Sequence, residues 1–282
     1  MELNFLDFIE IGTSDFETEL QTNNGNGISI EPIKYYLDNL PDNSTVTKLN
    51  IGISNYNGKS VVYYVPPENI EKYDFPWWIR GCNTINSYHK TVQDICKEKN
   101  INVEDVTTSY EIDVKTLFSV FMEKQINGVY YLKIDTEGHD TVILKKFYED
   151  IKSNIYLPHK IFFESNCLSN QTDVNEIITL YESKGYDLIY KDNDTLLKLN
   201  LNKILHKTKF TNGIRNYYIM DYPPNYDEQN HPHLNTLESA KEYCIKHNYS
   251  GVTLEGDLYS VRGGKYINYF NSGGCVISWV YL

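Results

Sequence analysis

The chain has 282 residues, of which 41% are hydrophobic and 23% are charged, proportions typical of a folded globular protein and not of a disordered one. Its 26 Lys and Arg residues stand against 38 Asp and Glu residues, so the formal net charge is −12. Such an acidic chain lacks the positive surface that binds a polyphosphate backbone, which argues against nucleic acid as its main partner.

Hydrophobic segments and the N-terminus indicate where the protein works. No segment approaches the ~20 consecutive apolar residues that span a bilayer. The first residues include Glu2, Asp7 and Glu10 and lack the basic start of a signal peptide. We therefore predict a cytoplasmic protein without membrane association. The frequent Tyr, Asn, Ile and Lys residues are typical of an AT-rich genome; for a large DNA virus, the location would be the host cytoplasm.

The cysteines are scattered along the chain and form no CxxC pair: Cys82, Cys96, Cys167, Cys244 and Cys275. This pattern argues against a zinc site and against a disulfide framework. Reduced thiols are favoured over a bond between Cys244 and Cys275 in a cytosolic chain. The acidic residues show no recurring spacing of metal ligands, so we predict no metal.

Short apolar strands and amphipathic helices alternate in the first part of the chain. The first predicted strand, Leu6–Ile11, ends directly at Gly12. The next predicted elements are a strand at Gly27–Glu31, a helix at Ile33–Leu40, a strand at Thr47–Ser54 and a β-rich segment at Val61–Val65.

Residues 66–110 form an irregular segment with three prolines, paired tryptophans and Gly81. A segment of this length is more typical of a functional insertion than of a plain connection, and we interpret it as a substrate wall or lid. Trp77 and Trp78 either stack on a sugar or on an adenine, or one of them packs in the core of the insertion.

The alternation continues in the second part of the chain. The predicted elements are a helix at Val114–Lys124, a strand at Val129–Asp135, a helix at Thr141–Ile151, a strand at Lys160–Glu164, a helix at Val174–Ser183 and a hairpin that joins Tyr186–Tyr190 to Thr195–Leu199. This order predicts an α/β doubly wound, mainly parallel seven-stranded sheet that ends in an antiparallel hairpin. Residues 1–202 would form this domain, and 203–282 a small accessory α+β module.

In such sheets a ligand binds outside the carboxyl ends of the strands. Gly12 allows the backbone to approach a ligand closely, and Thr13 and Ser14 lead to the free amides of a helix start. Glu31 follows about twenty residues later at the end of the next strand, where a carboxylate can accept both hydroxyls of a ribose. Each feature alone is as typical of an ordinary turn.

The same features fit a nicotinamide cofactor less well. No GxGxxG sequence follows the first strand, and Asp15 would repel a pyrophosphate. A cofactor without phosphates and with a positive sulfonium suits a pocket that contains Glu10, Asp15, Glu31 and Asp135. S-adenosylmethionine is such a cofactor.

The segment Lys133-Ile-Asp135-Thr-Glu137-Gly138 resembles the FkbM family of S-adenosylmethionine-dependent methyltransferases, whose hallmark is a strand with a KIDxEG-like ending. Four further segments match in the expected order: Glu10–Phe16, Ser29–Pro32, Asn50–Ser54 and Leu157–Glu164. The resemblance covers roughly residues 3–200 and implies a Rossmann-like class I methyltransferase fold. The chain departs from the family at Phe16, where the first motif usually has a second glycine.

The resemblance implies that S-adenosylmethionine contacts residues at the strand ends: Glu10, Gly12, Thr13, Ser14, Glu31, Pro32, Ile53, Ser54 and Asp135. Glu31 would bind the ribose. Ile53 and Ser54 would lie near the adenine, and Gly12 would lie beside the methionine portion.

Methyl transfer to a hydroxyl requires an in-line approach and removal of a proton. Asp135 would contact the methionine amino group or orient the acceptor, and Glu137 would hold the acceptor hydroxyl. His139 and His89 are the candidate bases, since histidine titrates near neutral pH. A histidine just past a strand is also typical of a solvated helix cap.

The family acts on hydroxyls of sugars and polyketides, so the resemblance implies O-methylation of a hydroxyl on a glycan or a nucleotide sugar. Two alternatives stay open: another small-molecule hydroxyl as acceptor, and a non-catalytic glycan-binding protein with the same fold. A homodimer formed through residues 203–282 is a further possibility.

Overall fold

A mixed seven-stranded sheet forms the centre of the structure, a computed structural model that describes residues 4–16, 18–22, 25–224, 235–270 and 276–282. The strands are β1 (Asn4–Ile11), β2 (Gly27–Ile30), β3 (Val46–Leu49), β4 (Gly52–Ile53), β5 (Gly58–Tyr64), β6 (Thr84–Ile85), β7 (Thr108–Lys115), β8 (Ile126–Ile134), β9 (Lys160–Glu164), β10 (Tyr186–Lys191), β11 (Asp194–Leu199), β12 (Ile214–Arg215), β13 (Tyr217–Ile219), β14 (Gly251–Glu255), β15 (Leu258–Arg262), β16 (Ile267–Tyr269) and β17 (Val276–Val280).

Helices connect these strands. They are α1 (Glu19–Thr22), α2 (Lys34–Asn39), α3 (Pro67–Lys72), α4 (Lys90–Glu98), α5 (Val103–Val106), α6 (Leu117–Glu123), α7 (Asp140–Asp150), α8 (Gln171–Ser183) and α9 (Leu237–His247), with 3₁₀ helices at Trp77–Gly81 and Asn154–Tyr156. No helix within the described ranges is long and apolar enough to cross a membrane.

The strands of the central sheet lie in the order β10-β11-β9-β8-β1-β2-β3. The pairs from β9 to β3 are parallel, while β11 is antiparallel to both β9 and β10. The expected mainly parallel sheet with an antiparallel hairpin is therefore present. Because β1 lies at the centre and β2 beside it, their carboxyl ends meet that of β8 at one edge.

Helices cover both faces of this sheet. Phe121 of α6, Phe147 of α7 and Tyr181 of α8 are fully buried and belong to the same apolar core as the inner strands. On the other face, Leu20 of α1 and Leu37 of α2 pack with Phe8. Burial of each such side chain stabilises the fold by about 1.5–3 kcal/mol, so packing on the sheet dominates over the weak propensity of these short helices.

One predicted strand, Thr47–Ser54, is divided between two sheets. Val46–Leu49 pairs with β2, whereas Gly52–Ile53 pairs with β7 in a second sheet of order β4-β7-β5-β6. The side chain of Asn50 donates hydrogen bonds to the carbonyls of Glu31 and Pro32, over 2.9 and 2.8 Å. These bonds turn the chain between the two sheets and bring β4 to the edge where the strand ends meet.

The predicted helix Val114–Lys124 begins later than expected. Residues up to Lys115 belong to β7, which pairs with β5 over seven residues. The hydroxyl of Thr116 accepts the backbone N–H of Ser119 over 3.1 Å, so the helix begins after this cap. The apolar residues Ile112 and Val114 alternate along a strand, and a short apolar run of this kind does not distinguish a strand from a helix.

Residues 203–282 contain an antiparallel sheet of order β12-β17-β14-β15, with α9 against β14 and β15. Ile214, Tyr217 and Ile267 belong to the same apolar core as the central sheet. The Tyr217 hydroxyl donates to Asp7 over 2.7 Å. A division of the chain after residue 202 stays a prediction. Cys275 and the end of the segment 221–226 lie outside the described residues.

Candidate functional site

A cleft of about 420 Å³ opens at the carboxyl edge of the central sheet. It is lined by the loops after β1, β2 and β8, by β4 and by residues 81–87 of the insertion. Nine of the residues predicted from the sequence line it: Gly12, Thr13, Ser14, Glu31, Pro32, Ile53, Asp135, Glu137 and His139. Glu10, Ser54 and His89 are buried and do not line the cleft.

Gly12 holds the ends of the central strands together. Its φ of +79° is in the left-handed region, and a Cβ at this position would lie 1.7 Å from the carbonyl oxygen of Asp135. The N–H of Gly12 donates to Ile30, and the N–H of Asp135 donates to Ile11. Only glycine satisfies both the close approach to Asp135 and the backbone angle. The predicted approach of Gly12 to a ligand stays a prediction.

Glu31 is a buried carboxylate at the cleft. One oxygen accepts the N–H of Ser14 over 2.8 Å, and the other accepts the N–H of Ile33 over 2.8 Å. Burial raises the pKa of Glu31 to about 7, so the group is close to its titration point at neutral pH. Each oxygen keeps a lone pair for a further donor, which suits the two hydroxyls of a ribose.

His139 is joined to a hydroxyl and not to a carboxylate. Its Nε2 lies 2.9 Å from the Oγ of Ser54, and His139 lines the cleft together with the apolar segment Ile51–Ile53. Burial lowers the pKa of His139, so the ring is neutral at pH 7. Ser54 thus contacts His139 and does not line the cleft itself, and Ile51 and Ile53 offer apolar surface to an aromatic base.

Glu10 lies beneath the cleft. Its side chain is fully buried, accepts the N–H of Glu19 over 2.8 Å, and lies 3.3 Å from the ammonium of Lys133. Burial raises the pKa of Glu10. Because Lys133 lines the cleft, Glu10 influences the site through this lysine and through the start of α1, and the predicted direct contact with a cofactor is not supported by its position.

Glu137, which lines the cleft, and the buried His89 form a hydrogen-bonded pair. The Nε2 of His89 lies 3.0 Å from a carboxylate oxygen of Glu137, while the Nδ1 of His89 accepts the N–H of Thr91 and caps α4. Since Nδ1 accepts a hydrogen bond, the ring proton is on Nε2, which donates to Glu137. His89 therefore orients Glu137 and is not free to act as a base.

Glu137 has a φ of +54° and is followed by Gly138 at +91°, both in the left-handed region. This conformation costs a non-glycine residue of the order of 1 kcal/mol and turns the chain directly after β8. A Cβ at Gly138 would lie 2.8 Å from the carbonyl of Leu168, so a side chain cannot replace this glycine. The turn directs the Glu137 carboxylate into the cleft.

Three groups that can ligate a metal lie close together here. The Sγ of Cys82, a ring nitrogen of His89 and a carboxylate oxygen of Glu137 are within 4.8 Å of one another. A metal on Nε2 would move the ring proton to Nδ1, where it would face the N–H of Thr91. The donor set therefore favours a hydrogen-bonded pair over a metal site.

Further carboxylates surround this pair. Burial and the neighbouring acids Glu137 and Asp135 raise the pKa of Glu164 to about 9, and burial raises that of Asp140 to about 8. Both groups are therefore largely protonated at neutral pH, which reduces the negative charge around Asp135 and Glu137. Asp194, the direct partner of Glu164 on the neighbouring strand β11, also has a raised pKa because it is partly buried.

Trp77 and Trp78 lie on the surface, with 60% and 41% of their area exposed, so neither packs in the core of the insertion. Ile79, fully buried, takes that place. Phe16 lines the cleft and meets Trp77 edge to face, with ring centroids 5.5 Å apart. An aromatic ring thus fills the position where the family usually has glycine.

Arg80 connects the insertion to the loop after β1. Its guanidinium lies 4.7 Å from the centroid of Phe16, and its Nε is 3.3 Å from the carboxylate of Asp15. The positive charge of Arg80 balances Asp15, so Asp15 repels a phosphate less than the sequence suggested. The remaining acids of the cleft, including Glu31 and Asp135, still disfavour a pyrophosphate there.

Several residues that line or adjoin the cleft were not identified as site residues from the sequence. Lys133, Phe162 and Asp194 line the cleft because alternate residues of β8 and β9 and the start of β11 face it. The period of two along these strands was the available signal. The sequence contains no comparable signal for Cys82 and Asn83, because their position depends on how the insertion folds.

One protein family matches more than half of the chain. The family model of the methyltransferase FkbM domain matches residues 10–188. Neither the curated proteins nor the solved structures give a match to the chain. The matched range contains the strands that line the cleft except β11 and most of β1, as well as Glu31, Asp135, Glu137 and His89. The chain therefore belongs to the FkbM methyltransferase family.

Proposed function

We propose that the protein is an S-adenosylmethionine-dependent O-methyltransferase that acts on a hydroxyl of a sugar, in a glycan or a nucleotide sugar. The observation that carries this proposal is the pairing of two sites in one cleft. Glu31 presents a buried carboxylate on one side, and Glu137, oriented by His89, presents a second carboxylate on the other.

The residues of the cleft fit the cofactor. Glu31 would accept the ribose hydroxyls, and the segment Ile51–Ile53 would contact the adenine. The turn Gly12–Ser14 and Asp135 would hold the methionine portion, where a carboxylate can pair with the amino group. When bound, S-adenosylmethionine supplies an electrophilic methyl group on a positive sulfur.

Glu137 is the residue that we assign to the acceptor. Its carboxylate would accept the hydrogen bond of the acceptor hydroxyl and take the proton as the oxygen gains the methyl group. The hydrogen bond from His89 fixes the direction of the carboxylate, so less orientational freedom is lost when the acceptor binds. Glu164 and Asp140, both largely protonated, keep Glu137 from being surrounded by negative charge.

The walls of the cleft suit a sugar. Asn83, Thr84 and Ser87 offer amide and hydroxyl groups, and Phe16 offers an aromatic face. Trp77 extends this aromatic surface at the rim. Sugars combine hydroxyl groups with apolar C–H faces, and they are bound by polar side chains next to aromatic rings.

We propose no nucleic-acid or membrane partner. A sedimentation experiment would test whether the protein forms a homodimer through residues 203–282. The activity is tested by incubating the protein with S-adenosylmethionine labelled in the methyl group and a panel of nucleotide sugars and oligosaccharides. We expect label on a sugar oxygen. Binding of a sugar without transfer would indicate the alternative, a glycan-binding protein, and transfer to other hydroxyl compounds alone would exclude a sugar acceptor.

A further inference from the structure

Strands β9 and β11 form an open sheet face that extends from the cleft. Three cross-strand pairs share this face: Glu164 with Asp194, Phe162 with Leu196, and Lys160 with Lys198. All six side chains are partly exposed, whereas the residues between them are buried on the opposite face: Ile161, Phe163, Thr195 and Leu197. The open face therefore presents an acidic pair, an apolar pair and a basic pair in succession.

The acidic and apolar pairs are continuous with the cleft. Phe162 and Asp194 line it, together with Lys133, which is the neighbour of Phe162 on β8. The backbone N–H of Glu164 lies 3.3 Å from the carboxylate of Asp140, three residues after Glu137, so the acidic pair lies near the assigned acceptor group. From Glu164 to Lys160 the strand advances by four residues, about 13 Å.

The basic pair lacks a counter-charge within the described part of the chain. Neither Lys160 nor Lys198 has a carboxylate oxygen within 4.0 Å there. The nearest acid on β10, Asp187, bonds instead to Lys203, over 2.6 Å. Like charges that lie directly opposite each other on neighbouring strands destabilise the sheet. The two lysines form this pair in a chain whose net charge is −12.

Aromatic rings compensate this repulsion in part. The ammonium of Lys198 lies 4.0 Å from the ring centroid of Tyr266, and that of Lys160 lies 4.7 Å from the centroid of Tyr130. Such contacts contribute about 0.5–1 kcal/mol at exposed sites but leave the charges in place. Burial and the neighbouring Lys160 lower the pKa of Lys198. An anion between the two lysines would remove the repulsion.

We propose that the sugar acceptor carries a phosphate or diphosphate group, which binds between Lys160 and Lys198 while the sugar ring lies over Phe162 and Leu196. This inference rests on the proposed function and narrows its substrate class to sugar phosphates and nucleotide sugars. The advance of about 13 Å along β9 from Glu164 to Lys160 corresponds to the length of a sugar joined to a diphosphate.

Isothermal titration with pyrophosphate and with a nucleoside diphosphate sugar tests the proposal. The variant is K160Q/K198Q, and the control is K184Q, because Lys184 also lies over a ring, 5.2 Å from the centroid of Tyr148. We expect the double variant to bind both probes at least tenfold more weakly, and the control to bind them like the wild type. Affinity should fall as salt is added.

Equal binding of pyrophosphate by the three proteins, or by none of them, would overturn the proposal. So would a changed oligomeric state of the double variant without a change in pyrophosphate binding, since the lysines would then be a subunit contact. Thermal unfolding checks that the double variant is folded, which we expect because the substitution removes a repulsion.

The proposed function is measured separately by titration with S-adenosylhomocysteine. If this ligand fails to bind while pyrophosphate binds through the lysines, the anion site stands and the methyltransferase proposal falls. If wild type and double variant methylate an uncharged oligosaccharide equally well and bind pyrophosphate equally, the enzyme proposal stands and the phosphate inference falls.

Discussion

His89 donates a hydrogen bond through Nε2 to the carboxylate of Glu137, over 3.0 Å, while its Nδ1 accepts the backbone N–H of Thr91. One ring therefore connects the first turn of α4 to the turn after β8. The acceptor side of the cleft depends on this connection, because the hydrogen bond from His89 fixes the direction of the Glu137 carboxylate.

Replacement of His89 separates positioning from proton transfer. We expect His89→Ala to lower kcat by about 10- to 100-fold, because the Glu137 carboxylate loses its orientation. His89→Gln keeps a side-chain donor and should recover part of the loss. The affinity for S-adenosylhomocysteine should stay unchanged in both. Equal kcat in the two variants, or a loss confined to cofactor affinity, would contradict a positioning role.

The pKa of Glu31, about 7, predicts that cofactor affinity depends on pH. Above this pH the carboxylate is ionised and can accept both ribose hydroxyls; below it the group is protonated and loses an acceptor. Affinity for S-adenosylhomocysteine should therefore be about tenfold weaker at pH 6 than at pH 8. Glu31→Gln should bind weakly with a flat pH profile. A wild-type profile equally flat would contradict the assignment.

Gly12→Ala tests the close approach of β1 and β8. The new Cβ would lie 1.7 Å from the carbonyl oxygen of Asp135, at a φ of +79°. We expect the free energy of unfolding to fall by more than about 3 kcal/mol, or the chain not to fold. The control is Gly256→Ala, at φ +60° with open space around it, which should cost only about 1–2 kcal/mol. Chemical denaturation measures both, and similar losses would disprove the packing argument.

The tautomer of His89 predicts that no metal takes part at Cys82, His89 and Glu137. Activity should survive dialysis against a chelator, and Cys82→Ser should remain active, since the buried thiol only fills space. Loss of activity with the chelator and recovery with Zn²⁺ would show that the ring proton is not on Nε2 and would replace the hydrogen-bonded pair by a metal site.

Trp77 is expected to act on the acceptor alone. Trp77→Ala should raise the KM for the acceptor severalfold and leave the affinity for S-adenosylhomocysteine unchanged, because its ring contacts Phe16 at the rim. Trp78→Ala is the matched control and should have a smaller effect. Because both tryptophans are exposed, we expect each substitution to change the free energy of unfolding by no more than about 0.5 kcal/mol. A larger increase in KM for Trp78→Ala than for Trp77→Ala would indicate that Trp78 is the ring that acts on the acceptor.

The sequence predicted the parts of the site that depend on local pattern. Gly12 and Glu31 were identified because each follows a short apolar strand, and strand ends of a parallel sheet meet at one edge. The pairing of His89 with Glu137 was not predicted, because 48 residues separate them and the fold of the insertion decides their distance.

The two errors in secondary structure have a similar origin. The chain between Leu49 and Gly52 turns because the Asn50 amide bonds to two carbonyls of the β2 loop, a long-range contact without a local signature. Val114 belongs to a strand because β5 lies next to it, although its surroundings also fit a helix. In both places tertiary pairing decided between structures that the local pattern allowed.

The central claim is that one cleft binds S-adenosylmethionine and that Glu137 takes the proton of the acceptor hydroxyl. It is tested most directly by comparing wild type and Glu137→Gln in one titration with S-adenosylhomocysteine and one assay of methyl transfer to nucleotide sugars. We predict equal affinity for S-adenosylhomocysteine and a transfer rate reduced at least 100-fold in the variant. Absence of binding by the wild type, or undiminished transfer by the variant, would contradict the claim.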